Sequence, residues 1–215
     1  MRISLAERGS ADWAQSAPLV ADVFQRSYGA VIQPNPDYFL TYFENDGQGG
    51  EEAVASCTVT LPERGELLCE RYLDHPVEEM IARHHRIAAP PRSQILQIGS
   101  LASNRITAGT EIIKVFPLLS LCLGRSYALM TLTDRLMRLV TRLGVVLYPL
   151  AEADASRLHP AERVRWGSYY ETRPVVYYGL VSEQADVLVG QSGRYQFSSV
   201  DMMLLPNRER ELAHA

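Results

Sequence analysis

The apolar positions along the chain alternate between helical and strand-like spacing. Trp13, Val20, Val23 and Phe24 recur at near-helical intervals, which predicts a first helix over Ala11 to Tyr28. Two strand-like runs follow, PDYFLTYF and EEAVASCTVTLP, and the loop ENDGQGG between them has the Asn, Asp and Gly residues typical of a hairpin. The next apolar run, GELLCERYL, is predicted to be a third strand.

A second helix is predicted over DHPVEEMIARHHR. Asp74 is a candidate N-cap and Pro76 lies in the predicted first turn. Glu78 and Glu79 are placed favourably against the helix dipole. The alternation of predicted strands and helices therefore continues past the hairpin.

The middle of the chain contains two strand-helix units. The run ILQIGSLAS precedes a helix predicted over Thr110 to Leu123, which Gly124 would stop. The strand SYALMTLT precedes the helix DRLMRLVTRLG, which Gly144 would stop, and PVVYYGLV follows as another strand. This order predicts an α/β (α+β) fold with a mixed, mostly antiparallel sheet and helices on both faces. We expect one domain over 1–205 and a disordered tail over 206–215.

The run ILQIGSLASNRITAGTEI breaks at Gly99 and passes small residues into a helix. A helix N-terminus presents unpaired N–H groups, so this junction is a candidate anion or oxyanion site that Thr107, Gly109 and Thr110 would suit. An ordinary capped helix is the alternative, because many strand-to-helix loops look like this.

Composition narrows the class of protein. The chain has 215 residues, is 47% hydrophobic and carries a formal net charge of −4 with a pI near 5.8, which gives no general attraction to nucleic acid. The cysteines Cys57, Cys69 and Cys122 are widely spaced among apolar neighbours and are interpreted as reduced core thiols of a cytosolic protein. No apolar run is long enough to span a bilayer, so we expect a cytoplasmic protein without integral membrane association.

Several blocks, in order, resemble the bacterial thermostable hemolysin family. They are CERYLDHPVEEMI, LQIGSLAS, LTDRLMRLVTRLGV, LAEADASRL and WGSYYETRPVVYYG. That family in turn resembles the GNAT superfamily, and within it the acyl-homoserine-lactone synthases and N-acyl amino acid synthases. The resemblance implies a GNAT-like acyltransferase fold whose central sheet splays between the strands at Gln97 to Ala102 and Ala128 to Thr133. It also implies a thioester donor in the splay and an oxyanion-stabilising backbone N–H.

The resemblance implies an acyltransferase that moves an acyl chain to an amine or amino acid. The predicted catalytic residues are Glu70, Gln97 and Ser100. The predicted substrate-binding residues are Tyr72, Asp74, Gly99, Leu101, Thr131, Thr133, Trp166, Tyr169 and Tyr170. Glu70 is chosen over its neighbour Arg71 because successive residues of a strand face opposite sides. For Asp74 a helix-capping role remains equally open, and for the aromatic residues a core role is the alternative.

Two departures from the related pattern bear on the donor. The loop RITAGT lacks the glycine register of the coenzyme A phosphate loop, and Gln97 stands where the related pattern has a glutamate. A neutral amide can orient a substrate but cannot take a proton at neutral pH. We therefore expect no permanently bound cofactor, and acyl-phosphopantetheine on a carrier protein as co-substrate in preference to acyl-CoA.

A carrier-protein donor would need a basic docking surface, since such carriers are acidic. The predicted donor-binding residues are Arg105, Thr107, Gly109, Thr110, Arg135 and Arg138. Arg142 extends the α-helical face of Arg135 and Arg138, and Arg83, Arg86 and Arg92 form a second basic cluster. Solvated helix faces are the alternative for both clusters. The adjacent His84 and His85 have no evident third partner, so no metal site is predicted.

Three functions remain open at this stage. The first is the acyltransferase, with an acyl carrier protein and a small amine or amino acid as partners. The second is a degenerate fold that binds an acyl carrier or amine without turnover. The third is a cytolytic protein, which the family name suggests, although no strongly basic amphipathic helix is present.

Overall fold

The computed structural model describes residues 1–195 as a seven-stranded sheet with helices on both faces, which confirms the predicted fold class. The strand order is β1-β2-β3-β4-β5-β7-β6. The strands are β1 Arg2–Glu7, β2 Tyr38–Asn45, β3 Glu51–Thr60, β4 Ile95–Ser103, β5 Tyr127–Leu132, β6 Tyr148–Glu152 and β7 Val175–Leu180. The helices are α1 Ala11–Tyr28, α2 Val77–His85, α3 Ile106–Cys122, α4 Asp134–Arg142, α5 Pro160–Arg165 and α6 Ala185–Gly190.

The pairing is mostly antiparallel, as predicted. Within the described strands only β4 and β5 pair in parallel, and their ladder stops at Ile98 opposite Met130. Both strands continue past that point, β4 to Ser103 and β5 to Leu132. The sheet is therefore splayed between β4 and β5, as the resemblance implied.

A bulge in β4 coincides with the splay. Thr58 of β3 pairs with Gly99 and Ser56 pairs with Ala102, so Cys57 alone faces two residues of β4. One of these two, Ser100, has a φ of 46°, in the left-handed region that non-glycine residues rarely adopt. The break predicted at Gly99 is thus a bulge inside one continuous strand.

The core is divided by the sheet. On one face, α3 buries Ile112, Ile113 and Phe116 against β3, β4 and β5. On the other face, α1 buries Val20 and Phe24 against β1 and β2. Apolar side chains from α2 and β7 continue the packing on this second face.

The prediction of a third strand over GELLCERYL is wrong. Its centre, Leu68–Tyr72, is a 3-10 turn. The Cys69 N–H donates to the Gln97 side chain and the Leu67 N–H to the Glu70 carboxylate, so side chains satisfy donors that a strand would give to its neighbour. The argument that placed Glu70 and Arg71 on opposite sides of a strand therefore fails.

Two helix starts also differ from prediction. Helix α2 begins at Val77, with Pro76 at the N-cap and no side-chain cap, so Asp74 does not cap it. Helix α3 begins at Ile106, four residues before the predicted Thr110. Gly124 and Gly144 follow α3 and α4 with φ values of 66° and 84°, as expected of helix stops.

Strands β1 and β6 were not predicted. Strand β6 contains Pro149, which interrupts the strand pattern in sequence but is tolerated because β6 lies at the sheet edge. The described residues include most of the predicted domain 1–205, whose extent stays a prediction. The predicted tail, 206–215, lies outside the described residues.

Candidate active site

A cavity of about 360 Å³ opens on the α1 face of the sheet, where β4 and β5 part. Its wall brings together many of the predicted site residues, although they come from distant parts of the chain. These are Tyr72, Gln97, Gly99, Ser100, Thr131, Trp166, Tyr169 and Tyr170. Sequence blocks separated by more than 90 positions therefore meet around one concave surface.

The floor of this cavity is a buried polar contact between β4, β5 and the 3-10 turn. The Cys69 N–H donates to Gln97 Oε1 at 2.8 Å, so the amide of Gln97 has its Nε2 left as a donor for the cavity. Cys69 Sγ lies 3.3 Å from Thr131 Oγ1. Burial raises the pKa of Cys69 to about 12, so this thiol is neutral at physiological pH and is a poor nucleophile.

Aromatic side chains form one wall. Tyr72 and Tyr170 share a hydrogen bond of 2.5 Å between their hydroxyls. Burial, before any neighbouring charge, raises the pKa of both phenols. Trp166 and Tyr169 pack on Phe24 of α1, with ring centroids 6.1 and 6.0 Å from it. The wall is thus held by core packing and presents phenol groups that stay protonated at neutral pH.

A second, smaller cavity of about 30 Å³ lies against the same bulge and extends toward α3 and α4. Its lining from these helices is apolar and includes Ile113, Phe116 and Val140. Ile98, Gly99, Ser100 and Thr131 line both cavities. Leu101, a predicted substrate-binding residue, lines the smaller one. The bulge is therefore the place where a polar cavity and an apolar cavity meet.

Gly99 permits close packing at this junction. A Cβ at Gly99 would lie 2.9 Å from Thr58 Oγ1, closer than van der Waals contact allows. The glycine thus lets β3 and β4 stay paired while the chain turns into the bulge at Ser100.

Glu70 is not among the residues that line either cavity. Its carboxylate accepts from Arg92 Nη1 at 2.5 Å, Arg92 Nη2 at 2.7 Å and the Leu67 N–H at 2.9 Å. Burial by itself would raise the pKa of Glu70, but these hydrogen bonds outweigh it and lower that pKa. In this structure the carboxylate of the predicted base is thus paired with Arg92 outside both cavities, and its catalytic role stays a prediction.

Asp74 is also outside the cavities. It is exposed and forms an ion pair with Arg157. Hydrogen bonding and the charge of that arginine lower the pKa of Asp74. Neither the capping role nor the substrate-holding role considered for this residue matches its position.

The predicted donor-binding residues before and within α3 lie on its first turns. Arg105 forms an ion pair with Glu44 of β2. The Thr110 hydroxyl donates to the Thr107 carbonyl at 2.7 Å. Gly109 is buried, and a Cβ there would lie 3.2 Å from the Cβ of Ser103, so this glycine brings the helix close to β4. Its local role is packing of helix on strand.

The residues at the start of α4 have separate positions. Thr133 is the N-cap, and its hydroxyl accepts from the Leu136 N–H. Arg135 is exposed, and Arg138 pairs with Asp134 at 2.5 Å, with exposed side-chain fractions of 61% and 80%. The two arginines therefore lie on the surface of the helix that lines the smaller cavity.

The structure adds cavity residues that the sequence did not single out. Glu162 and Arg165 of α5 line the larger cavity, together with the loop over 31–36. The sequence HPAERVRW held a signal for this helix, because proline is typical of the first helical position, which Pro160 occupies. Among residues 1–195, no three His, Cys, Asp or Glu side chains are grouped to hold a metal ion.

The fold of this chain is that of the acyl-homoserine-lactone synthases and N-acyl amino acid synthases. It is similar to the AHL synthase LasI, with a TM-score of 0.56 and 14% identity over 88% of this chain and 94% of that one. It is similar to FeeM, an N-acyl amino acid synthase from uncultured soil microbes, with a TM-score of 0.54 and 12% identity over 88% and 95%. It is also similar to TofI, solved in a ternary complex with an inhibitor and MTA, with a TM-score of 0.53 and 12% identity over 87% of this chain and 96% of that one.

The sequence places the chain more narrowly. The family model described as Thermostable hemolysin matches residues 6–185, and the chain belongs to this family. No protein of curated function is significantly similar to it in sequence. Among the described helices none has the length and apolar character needed to cross a membrane.

Proposed function

We propose that this protein is an N-acyltransferase that moves an acyl group from a thioester donor to an amine or amino acid. The observation that carries the proposal is the β4 bulge, where Gly99 and Ser100 line a polar cavity on one side and an apolar cavity on the other. A transferase needs an acceptor site and an acyl site that meet at the reacting carbon. The similarity in fold to LasI and FeeM supports the same function.

In this proposal the donor thioester lies in the splay between β4 and β5. The acyl chain enters the apolar cavity beside Ile113 and Phe116, which at about 30 Å³ has room for about one water molecule and must widen to take the chain. Backbone amides at Gly99 to Leu101, beyond the last β4–β5 ladder pair, face the carbonyl and stabilise its oxygen when it becomes an oxyanion. Ser100, in its left-handed conformation, aims this segment into the splay.

The chemistry forms one bond and breaks one. The acceptor, bound as an ammonium ion, first loses one proton to a base or to water, and the neutral amine attacks the thioester carbon to give a tetrahedral oxyanion. The nitrogen then loses a second proton, collapse breaks the C–S bond to release an amide and a thiolate, and the thiolate takes up a proton to become the thiol. Cys69 has no role as a covalent carrier in this scheme, because burial keeps its thiol protonated.

A carrier-protein thioester is favoured over acyl-CoA as the donor. Coenzyme A would place a pyrophosphate near the start of α3, but Arg105 there is already paired with Glu44 and lies 3.6 Å from Glu52. These two carboxylates oppose the binding of an anion at that position. A carrier protein needs only its phosphopantetheine arm in the splay and an exposed basic surface such as that of Arg135 and Arg138.

The test is intact-protein mass spectrometry of acyl carrier proteins incubated with this protein and a pool of amines and amino acids, with acyl-CoA in parallel. We expect the carrier to lose its acyl group and a matching amide to appear. Gly99→Ala should slow this transfer by about tenfold to a hundredfold, because the methyl group enters the junction of the two cavities.

Gly190→Ala is the matched control, since a Cβ at Gly190 would meet no atom within 4 Å. A stable complex with the acyl carrier and no turnover would replace the transferase with a non-catalytic binding partner. Equal rates with acyl-CoA would contradict the donor assignment and leave the transfer reaction in place.

A further inference from the structure

The larger cavity contains one acidic and one basic residue among the described residues that line it, Glu162 and Arg165. Both belong to α5, three positions apart, so they share one face of that helix. The rest of the lining consists of hydroxyls, amides, aromatic rings and apolar side chains. The cavity therefore offers one positive and one negative group, roughly 5–6 Å apart at their Cβ atoms.

Arg165 is available to a ligand. Within residues 1–195 no hydrogen bond or ion pair engages its guanidinium, and only its backbone carbonyl is used, as acceptor for the Val31 N–H. The other basic residues of α5 and the 3-10 turn either have an ion-pair partner or lie outside the cavity. Arg71 is paired with Glu66 and Glu162, and Arg163 does not line the cavity. An unpaired guanidinium at a concave surface favours a carboxylate.

Glu162 is held in place for a cation. Arg71 donates to Glu162 Oε2 at 2.8 Å, which leaves Oε1 without a partner in the described chain. Gln97 is a weaker partner for an ammonium group than a carboxylate, because it is neutral, its oxygen already accepts from the Cys69 N–H and its Nε2 is a donor. Burial first, and the charge of Glu162 in smaller part, raise the pKa of Tyr72 and Tyr170, so both phenols stay neutral. Among the described residues that line the cavity, Glu162 is thus the one with an acidic side chain.

We propose that the acceptor is an amino acid zwitterion, whose carboxylate binds Arg165 and whose ammonium binds Glu162. The transfer reaction in this inference rests on the proposed function, whereas recognition of the zwitterion rests on the oppositely charged Glu162 and Arg165 of α5. Glu162 would then also receive the ammonium proton before the amine attacks the thioester. Arg71 acts as a positioning residue that restricts the orientation of this carboxylate through their ion pair.

The experiment compares each amino acid with the amine that lacks its carboxylate, for example tyrosine with tyramine and leucine with isopentylamine. Transfer is followed by mass spectrometry with an acyl carrier donor, and binding is followed by calorimetry without any donor. We expect the amino acid to be preferred at least about tenfold in kcat/KM, as for a charge-assisted hydrogen bond. In Arg165→Gln the preference should fall to near one.

Arg163→Gln is the matched control, because it removes the same charge from the same helix at a position outside the cavity. It should leave the preference and the binding constant unchanged. Glu162→Gln should weaken binding of amino acid and amine alike, since both carry the ammonium. Thermal unfolding of each variant checks that α5 still folds.

The two arms separate this inference from the proposed function. Transfer to plain amines at the same rate as to amino acids, or an equal effect of Arg163→Gln, would overturn the zwitterion site and keep the transferase. Amino acid binding that weakens about tenfold in Arg165→Gln without any turnover would support the site and overturn the transferase. Absence of both binding and preference would overturn the inference.

Discussion

The two cavities at the β4 bulge differ in size and chemistry although they share Gly99, Ser100 and Thr131. The larger is lined by phenols, hydroxyls, one buried amide and the charged pair of α5, together with apolar side chains such as Ile32 and Leu68. The smaller is lined on its helix side by apolar residues of α3 and α4. A single strand irregularity thus separates a polar environment from an apolar one.

This difference follows from which elements cover each face. On the α1 face, a 3-10 turn and the short helix α5 bring polar groups above β4, where a longer helix would have buried them. On the opposite face, α3 packs along the strands with an almost unbroken apolar surface, including Ile112 and Ile113. The proposed function uses this difference, with the acceptor on the first face and the acyl chain on the second.

Gly167→Ala should have the largest effect, and Gly167 adjoins Trp166 in the wall of the larger cavity. Gly167 has a φ of 52°, and a Cβ there would lie 2.1 Å from the Tyr28 carbonyl oxygen. This contact is backbone, so the end of α1 would have to move from the segment after α5, where the Ser168 N–H donates to Tyr28 O at 2.9 Å. We expect the free energy of unfolding to fall by about 3 kcal/mol or more, measured by urea denaturation.

Gly124→Ala is the control for backbone conformation without a clash. Gly124 has a φ of 66°, but a Cβ there would meet no atom within 4 Å. Its cost should be about 1 kcal/mol, from the left-handed conformation alone. Equal costs for the two variants would contradict the close approach of α1 to the residues after α5.

Val140→Ala should have an intermediate effect, on the smaller cavity. Val140 is 2% exposed and lines that cavity from α4. Its truncation should cost about 2 kcal/mol of stability and make room for a longer acyl chain. Each additional methylene that is accommodated should favour the longer donor by about fourfold in kcat/KM, measured over a series of chain lengths.

Val59→Ala removes the same atoms from the same core without touching either cavity. Val59 is fully buried in the cluster that contains Val140. A similar loss of stability with an unchanged chain-length optimum would sharpen the assignment of the apolar cavity. A shift of the optimum in Val59→Ala would show that general loosening of the core, rather than the cavity, sets the preference.

Much of the fold could be predicted because its elements are locally specified. The α1 pattern, the hairpin loop and the glycines after α3 and α4 each fix a boundary through short-range geometry. The site was harder, because its polar contacts join residues far apart in sequence. The run around Glu70 has the apolar content of a strand, and its turn depends in part on the Gln97 side chain, 28 residues from Cys69. Likewise, nothing local in PAERVR shows that Glu162 and Arg165 face a cavity.

Arg138→Glu should have the smallest effect on stability and tests the surface next to the apolar cavity. Its ion pair with Asp134 is exposed, so the free energy of unfolding should change by less than about 0.5 kcal/mol. If an acidic carrier docks on α4, its Kd should rise by about threefold to tenfold at low ionic strength, and the difference should shrink with added salt. Titration calorimetry at two salt concentrations measures both the Kd and its dependence on salt.

Arg83→Glu on α2 is a close match for this variant. Arg83 is 62% exposed against 61% for Arg138, and it also pairs with an acidic residue four positions earlier, Glu79. It belongs to the second basic cluster, on the helix that does not line the apolar cavity. A loss of affinity for the carrier in Arg138→Glu alone would place the carrier docking site on α4, next to the bulge. A loss in Arg83→Glu alone would move the donor entrance to α2, and the apolar cavity would then lose its assignment as the acyl site.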